Sequence, residues 1–181
     1  AAENDFESGT NFNDIVVTAN DSNGHTTDIN VNLDEQDVNE NAPVFTPVNP
    51  GDTEYTFTYD ENSATTDVLG TVAATDADGD TVTYAITTNV DDGSGNDVYQ
   101  INATTGAISL TAAGVAAAEN DFEVGTNLND IVVTADDGQG HTTDINVNLD
   151  EQDVNENAPV FTPVNPGDTE YTFTYDENSD T

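Results

Sequence analysis

The chain has 181 residues, of which 37 are Asp or Glu and none is Lys or Arg, so its formal net charge is -37 at pH 7. Such a chain repels phosphate at long range, which excludes nucleic acid and anionic membrane faces as partners and favours cations. Hydrophobic residues make up 34% of the chain and occur in alternating runs, which indicates a globular protein whose folding depends on divalent metal or high salt.

Two features that the sequence lacks further restrict the class of protein. There is no Cys, which excludes disulfides and thiolate metal sites. No apolar stretch has the length needed to cross a bilayer, and the amino terminus does not have the pattern of a signal peptide. We therefore expect no membrane insertion, and we interpret the sequence as an excerpt of a longer protein.

Short alternating apolar runs predict an all-β fold with hardly any helix. The clearest run places Tyr55, Phe57 and Tyr59 on one face of a strand, and a turn at 104–106 predicts a hairpin. Residues 112–118 are predicted to form a short helical turn. This spacing predicts a seven-stranded two-sheet Greek-key sandwich. After a first edge strand at 43–46, the seven strands are expected at residues 54–59, 68–75, 82–86, 97–102, 107–110, 131–135 and 145–149.

The sequence repeats itself with a period of 116 residues, because residues 1–65 match residues 117–181 with six differences. A period of this length is a whole small domain, so near-identity between neighbours predicts a tandem array. We expect residues 1–42 to be the C-terminal part of one repeat, 43–158 a complete repeat and 159–181 the N-terminal part of the next. The two end pieces would be held by neighbouring chains or belong to a continuous polymer.

The segment Asp-Val-Asn-Glu-Asn-Ala-Pro-Val-Phe occurs at 37–45 and again at 153–161. Its carboxylate and amide oxygens are the hard ligands that calcium prefers. Pro43 excludes helix at the residue before it, so the segment is extended and leads into a strand. Several carboxylates at one joint repel each other by roughly a kcal/mol per close pair at surface dielectric. A calcium-binding joint between domains is therefore predicted.

Five motifs, in order along the chain, resemble those of the cadherin repeat, and in particular the cadherin-like repeats of large secreted bacterial adhesins. They are the linker segments at 37–45 and 153–161, Glu61-Asn62 and its copy at 177–178, Asp76-Ala77-Asp78, the Asp-x-Glu triplets at 5–7 and 121–123, and the strand ends at 17–21 and 133–137.

The resemblance implies about three Ca²⁺ ions at each joint, with ligands from the preceding domain, the linker and the following domain. At the first joint, joint 1, it implies Asp5, Glu7, Asp37, Asn39 through its backbone, Glu40, Asn41, Asp76, Asp78 and Asp137. At the second, joint 2, it implies Glu61, Asp121, Glu123, Asp153, Asn155 through its backbone, Glu156 and Asn157. We expect each ligand set to be completed by residues outside this sequence.

Other patterns carry weaker signals. The acidic run at 76–80 starts like an EF-hand loop, but Thr81 and Thr87 stand where that loop needs Gly and Glu, so an EF-hand is rejected. His25 and His141 are expected at the surface rather than on zinc. Asn20 and Asn102 lie in glycosylation sequons, which leaves modification open. No nucleophile elbow or other catalytic constellation is present, so we do not expect an enzyme.

Three functions remain open from the sequence. The first is a calcium-rigidified spacer in a long extracellular or cell-surface adhesin or matrix filament, as in biofilm attachment. The second is a module that recognises like repeats or surface glycans. The third is a filament built from separate subunits, in which strands or half-domains are donated between chains.

Overall fold

The computed structural model describes residues 5–47, 49, 51–162, 167 and 169–177. It begins with an antiparallel hairpin of strands β1 (Phe12–Asn20) and β2 (Thr26–Asp34). Within the described ranges, nine further strands lie between residues 44 and 152. The fold is therefore all-β, as the alternating sequence predicts.

The larger layer of the sandwich is a four-stranded sheet in the order β4-β11-β10-β7. Its strands are β4 (Glu54–Asp60), β7 (Thr83–Thr88), β10 (Leu128–Asp136) and β11 (Thr142–Gln152). Strands β10 and β11 form an antiparallel hairpin, whereas β4 runs parallel to β11. A parallel pair cannot be joined by a tight turn, so the chain crosses over between β4 and β11 through the other layer.

The second layer contains a three-stranded sheet in the order β5-β9-β8 and a two-stranded pair of β3 and β6. Its strands are β3 (Val44–Phe45), β5 (Gly70–Thr71), β6 (Ala74–Thr75), β8 (Tyr99–Ile101) and β9 (Ala107–Leu110). The predicted hairpin turn at 104–106 lies between β8 and β9, which pair antiparallel.

The single strand predicted at 68–75 is wrong, because the structure divides this stretch between β5 and β6. The break falls at Ala73, whose backbone groups bond to the hydroxyl of Tyr55 and whose carbonyl also accepts from the N–H of Thr46, just after β3, over 2.8 Å. Ala73 donates its N–H to that hydroxyl over 3.2 Å, and the hydroxyl donates to the Ala73 carbonyl over 3.1 Å. The chain bends there and its two halves pair with different partners, β9 and β3.

The helical turn predicted at 112–118 corresponds to helix α1 (Ala112–Val115), followed by a 3-10 helix at Ala118–Asn120. The hydroxyl of Thr111 caps α1 by accepting from the N–H of Gly114 over 2.9 Å. At four and three residues, the helices of the described ranges fall far below the length that spans a bilayer.

The core fills the space between the two layers with apolar residues from both. On β11 the inward side chains are Ile145, Val147 and Leu149, and the next inward residue, Glu151, is buried as well. The remaining buried apolar residues are Phe45, Tyr55, Tyr59, Leu69, Val72, Tyr84, Val98, Tyr99, Ile108, Leu110, Ile131, Val133 and Ala135.

The β1–β2 hairpin copies the β10–β11 hairpin, but no second layer covers it among the residues that the structure describes. Both hairpins have the same register, since Phe12 lies opposite Asp34 just as Leu128 lies opposite Asp150. Leu33 is 51% exposed, whereas its equivalent Leu149 is 0% exposed. The hairpin therefore forms in the structure with its apolar face open.

Candidate metal centres at the two joints

Joint 2 brings four carboxylates together from three parts of the chain. Glu61 follows β4, Glu123 lies before β10, and Asp153 and Glu156 follow β11. One carboxylate oxygen of each residue lies within 4.8 Å of the corresponding oxygen of the other three. Four acidic groups at this spacing offer oxygen ligands that converge on one point.

Glu61 is the buried member of this cluster and is held by backbone donors on both oxygens. Its Oε1 accepts from the N–H of Val154 over 2.8 Å, and its Oε2 accepts from the N–H of Phe122 over 3.0 Å. These two bonds, that from Val154 first, hold the pKa of Glu61 below its usual range. Glu61 therefore stays ionised and fixes the linker against the loop before β10.

Asn120 forms hydrogen bonds with the turn that follows Glu61. Its side-chain amide accepts from the N–H of Ser63 over 3.2 Å and donates to the Ser63 carbonyl over 3.2 Å. Its backbone carbonyl accepts from the N–H of Asn62, which has a left-handed φ of 59°. Asn120 is buried, so these bonds hold the turn that aims Glu61 at the joint. No periodicity or motif in the sequence marks Asn120, so it is absent from the predicted site.

The pKa of Glu123, another glutamate of joint 2, is shifted upward, opposite to that of Glu61. Desolvation raises its pKa, and the charges of Glu156, Glu61 and Asp153 raise it further. A bound cation would reverse the effect of those neighbours. Glu123 is thus the position of joint 2 where crowding of negative charge is most evident.

At joint 1, the linker is tied to the acidic loop after β6. The side-chain amide of Asn41 donates to Asp78 Oδ1 over 2.6 Å, and its backbone N–H donates to Asp78 Oδ2 over 2.8 Å. These bonds, the side-chain bond first, hold the pKa of Asp78 below its usual range. One oxygen each of Asp78, Glu7 and Glu40 lies within 4.8 Å of the other two, so three carboxylates converge here.

The convergence of carboxylates at joint 1 disfavours the ionised form of Glu7. A hydrogen bond from its own backbone favours ionisation, but desolvation, shared hydrogen bonds with Asp37 and Asp5, and the charge of Glu40 raise the pKa of Glu7 to about 7. The crowded group is therefore half protonated near neutral pH when no metal neutralises it.

Asp137 lies on the same side of the joint, in the loop after β10. Desolvation opposes its ionisation, but N–H donors of Gln139, His141 and Gly140 and the amide of Asn39 outweigh it and hold the pKa of Asp137 well below its usual range. The ring of His141 also contacts the carboxylate, with Nδ1 3.1 Å from Oδ2. His141 is half-exposed and His25 is exposed, as the sequence predicts.

The donor set of both joints fits a hard divalent cation. It consists of carboxylate and amide oxygens, and the sequence has no Lys or Arg that could neutralise them. Among the described side chains, Asp76 Oδ2 and Asn39 Oδ1 at joint 1 are enclosed without a hydrogen-bond partner. Enclosed oxygens without donors are costly unless a cation or water meets them.

Two of the other predicted ligands, Asp76 and Asn157, form hydrogen bonds with members of the two clusters. Asp76 accepts from the N–H of Asp78 over 2.9 Å through Oδ1, and Asn157 donates to Glu156. Asp121 is not one of the four converging carboxylates of joint 2, and its backbone carbonyl closes a turn with Val124 and Gly125.

Asp80 is not among the predicted ligands, although it belongs to the acidic run at 76–80. Desolvation and the charges of Asp76, Asp137, Asp78 and Asp37 raise its pKa, which places it in the field of joint 1. The concentration of Asp in that run is the sequence signal that points to it.

No family model matches the chain. Among curated proteins, cadherin-related hmr-1 of Caenorhabditis elegans is 29% identical over 159 residues, which is 87% of this chain and 5% of that protein. Mouse protocadherin Fat 4 is 31% identical over 148 residues, 81% of this chain and 3% of that protein. The chain thus spans only a small fraction of the relatives it matches.

Solved structures show the same fold. Mouse cadherin-23 EC22-24 superposes with a TM-score of 0.64 at 24% identity, covering 84% of this chain and 45% of that one. The extracellular cadherin domains 3–6 of protocadherin gamma B2 superpose with a TM-score of 0.61 at 21% identity, covering 78% and 32%. These relatives are cadherins rather than enzymes, and their type agrees with the predicted extracellular or cell-surface location. The chain contains a cadherin-like domain with the all-β fold of that group.

Proposed function

We propose that the chain is a calcium-rigidified spacer of a long extracellular adhesin or matrix filament. In this role the domain carries no ligand-recognition site of its own, and it holds a separate adhesive part away from the cell surface. The repeat of 116 residues supports this proposal, since near-identical neighbours extend a filament without changing its surface.

The observation that carries the proposal is the convergence of Glu61, Glu123, Asp153 and Glu156 within 4.8 Å in a chain without Lys or Arg. Carboxylates at this distance repel one another, so the metal-free joint tends to open. They belong to the linker and to the domain before it, so opening the cluster frees the linker. Bound calcium would supply the positive charge that holds these groups together.

We propose the same role for joint 1, where Glu7, Glu40 and Asp78 converge from three segments. The full ligand sets proposed are those implied by the motifs, at roughly three ions per joint. The number of oxygens and the presence of amide carbonyls favour calcium over magnesium, which demands a small octahedral site and keeps much of its water.

Titration calorimetry of the chain with calcium, and separately with magnesium, tests the proposal. We expect calcium to bind more tightly than magnesium and to raise the melting temperature, because the folded chain, which brings the carboxylates together, binds calcium more tightly than the unfolded chain does. Glu156→Gln should weaken binding by about 10-fold or more, in the range seen when a metal-site residue is removed. Glu54→Gln, outside both joints, serves as the control. Calcium that neither binds nor stabilises the chain would refute the proposal.

A further inference from the structure

The acidic residues of the complete repeat are distributed unevenly between the two sides of its sandwich. The sequence has no Asp, Glu or His at residues 68–75 or 98–118. These two stretches contain strands β5, β8 and β9 and helix α1. The three-stranded sheet is therefore built from residues without charge, in a chain of which 20% of the residues are charged and all of those are acidic.

The four-stranded sheet has the opposite character on its outer face. Along β4, β10 and β11, residues that pack inward alternate with residues that face outward. Six of the outward residues are acidic: Glu54, Asp60, Asp130, Asp136, Asp144 and Asp150. The domain thus presents a strongly acidic face on one side of the sandwich and an uncharged face on the other.

The uncharged face is the outer surface of β5, β8 and β9 with the loop before β5, and it carries a groove of about 400 Å³. Hydroxyl, amide and aliphatic side chains line the groove, and none of the lining residues is charged. Val68, which is 61% exposed, supplies apolar surface there. The nearest carboxylate in sequence, that of Asp67, is not among the lining groups and accepts from the N–H of Ala64 over 2.8 Å.

Hydrogen bonds hold the uncharged face in one shape. The side-chain amide of Gln100 on β8 donates to the hydroxyl of Ser109 on β9 over 3.2 Å and to the carbonyl of Leu110 over 2.9 Å. Beyond β8, Asn102 Oδ1 accepts from the N–H groups of Thr104 and Thr105, each over 3.0 Å. A surface that is already ordered loses little conformational entropy when a partner covers it.

The lack of charge indicates which kind of partner this face suits. A cation would be attracted to the acidic face, and a neutral molecule meets no Coulomb repulsion anywhere on the domain. A strongly acidic partner, in contrast, can approach closely only where carboxylates are missing. A second copy of this chain, with a net charge of -37, is such a partner.

Two copies that meet through their uncharged faces keep their acidic faces on the outside of the pair. The width of two sandwiches then separates the acidic faces, and two packed sheets alone measure about 10 Å across. Salt screens charges at that separation, because the Debye length is about 8 Å at physiological ionic strength. The remaining repulsion is therefore weak enough for a neutral contact to compete with it.

We propose that neighbouring filaments of this protein associate side by side through the uncharged face. The same patch serves both copies, so the contact is isologous. The proposal rests on the tandem array of the proposed function, since one small face gives a weak contact and repeated faces add through their effective concentration. Every residue of the face lies within the complete repeat at 43–158.

Sedimentation velocity of a polypeptide of several tandem repeats in calcium tests the proposal as salt is raised. Raising the salt from about 0.15 M to about 1 M shortens the Debye length from about 8 Å to about 3 Å. We expect association to strengthen, because screening removes repulsion between the acidic faces and leaves the uncharged contact intact. The 181-residue chain, with one such face, should associate at least about 10-fold more weakly than the array.

Two results of the salt series would overturn the proposal. Association that weakens as salt rises would indicate carboxylates bridged by calcium between copies instead of an uncharged contact. Arrays that stay monomeric at every salt concentration would leave the groove to another kind of partner, such as a neutral saccharide. The rise in melting temperature with calcium is recorded in parallel. Its absence would count against calcium-binding joints, whereas monomeric arrays that calcium does stabilise would refute the side-by-side contact alone.

Asn102→Asp in every repeat places a carboxylate on both sides of the contact and keeps an oxygen that accepts from Thr104 and Thr105. We expect the association constant of the array to fall by at least about 10-fold, because like charges then face each other in every repeat. Thr66→Asp, in the exposed loop that lines the groove, should have the same effect and guards against a folding defect in the turn.

The matched control is Asn146→Asp, which makes the same change at an exposed position on the acidic face, opposite Glu54. It gives the same net charge as Asn102→Asp and should weaken association far less. Equal weakening by the two variants would show that total charge, rather than the uncharged face, governs association, and would overturn the proposal.

Discussion

The side-chain amide of Asn41 donates to the Asp78 carboxylate over 2.6 Å, and this bond ties the linker of joint 1 to the loop of the complete repeat. The linker is therefore already in contact with that loop before any metal is considered. What calcium would add at the joint is charge neutralisation among groups that the fold has brought together.

Asn41→Asp tests that division of roles. Without calcium, the new carboxylate faces Asp78 and repels it, so the melting temperature should fall. With saturating calcium, the same carboxylate becomes an additional ligand and the loss should shrink or reverse. Thermal unfolding in chelator and in calcium measures both. Asn49→Asp is the matched control, because Asn49 donates to Asp52 over 3.0 Å away from the joints. An identical calcium response of the two variants would count against the assignment.

The raised pKa of Glu7 predicts proton release when calcium binds. Its pKa is about 7 in the folded chain against an ordinary value of 4.5, so ionised Glu7 destabilises the metal-free fold above pH 7. This destabilisation is relieved as the pH falls through 7 and is gone below the unfolded value. Calcium favours the ionised form, so binding at pH 7 should release a fraction of a proton.

Calorimetry in buffers of different ionisation enthalpy measures that proton. Glu7→Gln should abolish the release and should also stabilise the metal-free chain at pH 8, while weakening calcium binding. Glu54→Gln should leave the release unchanged. A binding enthalpy that is the same in all buffers would contradict the assignment of Glu7.

Asn120 is expected to matter for both stability and calcium affinity. Asn120→Ala removes the partner of the partly buried N–H and carbonyl of Ser63, which should lower the free energy of unfolding by about 1 kcal/mol. Glu61 then loses its support, so calcium affinity at joint 2 should fall too. Asn96→Ala, in an exposed loop, is the control. Denaturant unfolding and calorimetry give the two readouts, and an affinity unchanged despite lost stability would separate the two roles.

The turn between β8 and β9 requires Gly106. Its φ is +69°, and a Cβ there would lie 2.2 Å from the carbonyl oxygen of Val72. Gly106→Ala should therefore cost more than the roughly 1–2 kcal/mol of a left-handed alanine alone. Gly93 has a φ of +80° but open space around it, so Gly93→Ala should show only the conformational term. Similar losses from both substitutions in denaturant unfolding would argue against the close packing described for Gly106.

The sequence predicts the sandwich well where alternation alone decides the structure. Strands β4, β10 and β11 have apolar residues at every second position, and all three form: β4 at nearly its expected bounds, and β10 and β11 extending up to three residues beyond theirs. Alternation fails to predict the structure at 68–75, where the hydroxyl of Tyr55 forms hydrogen bonds with the N–H and the carbonyl of Ala73. Such a bond joins residues 18 apart in sequence, and no local pattern contains it.

The candidate site, like the fold, is predictable from the sequence only in part. The linker motif and the Glu61-Asn62 pair identify residues that converge at joint 2, because their types and order carry the information. The support by Asn120 depends on tertiary placement, since its partner Ser63 is 57 residues away. Asp80 could have been included from the acidic run alone. The ligand sets beyond the two converging clusters stay predictions.

Small-angle X-ray scattering on a polypeptide of several tandem 116-residue repeats tests the central claim most directly. We expect a long stiff rod in millimolar calcium, and a shorter, flexible particle after chelation, because the unneutralised carboxylates at each joint then repel one another. Replacing Glu61 in every repeat should give the flexible profile even in calcium. A profile that chelation leaves unchanged would contradict calcium-dependent joints.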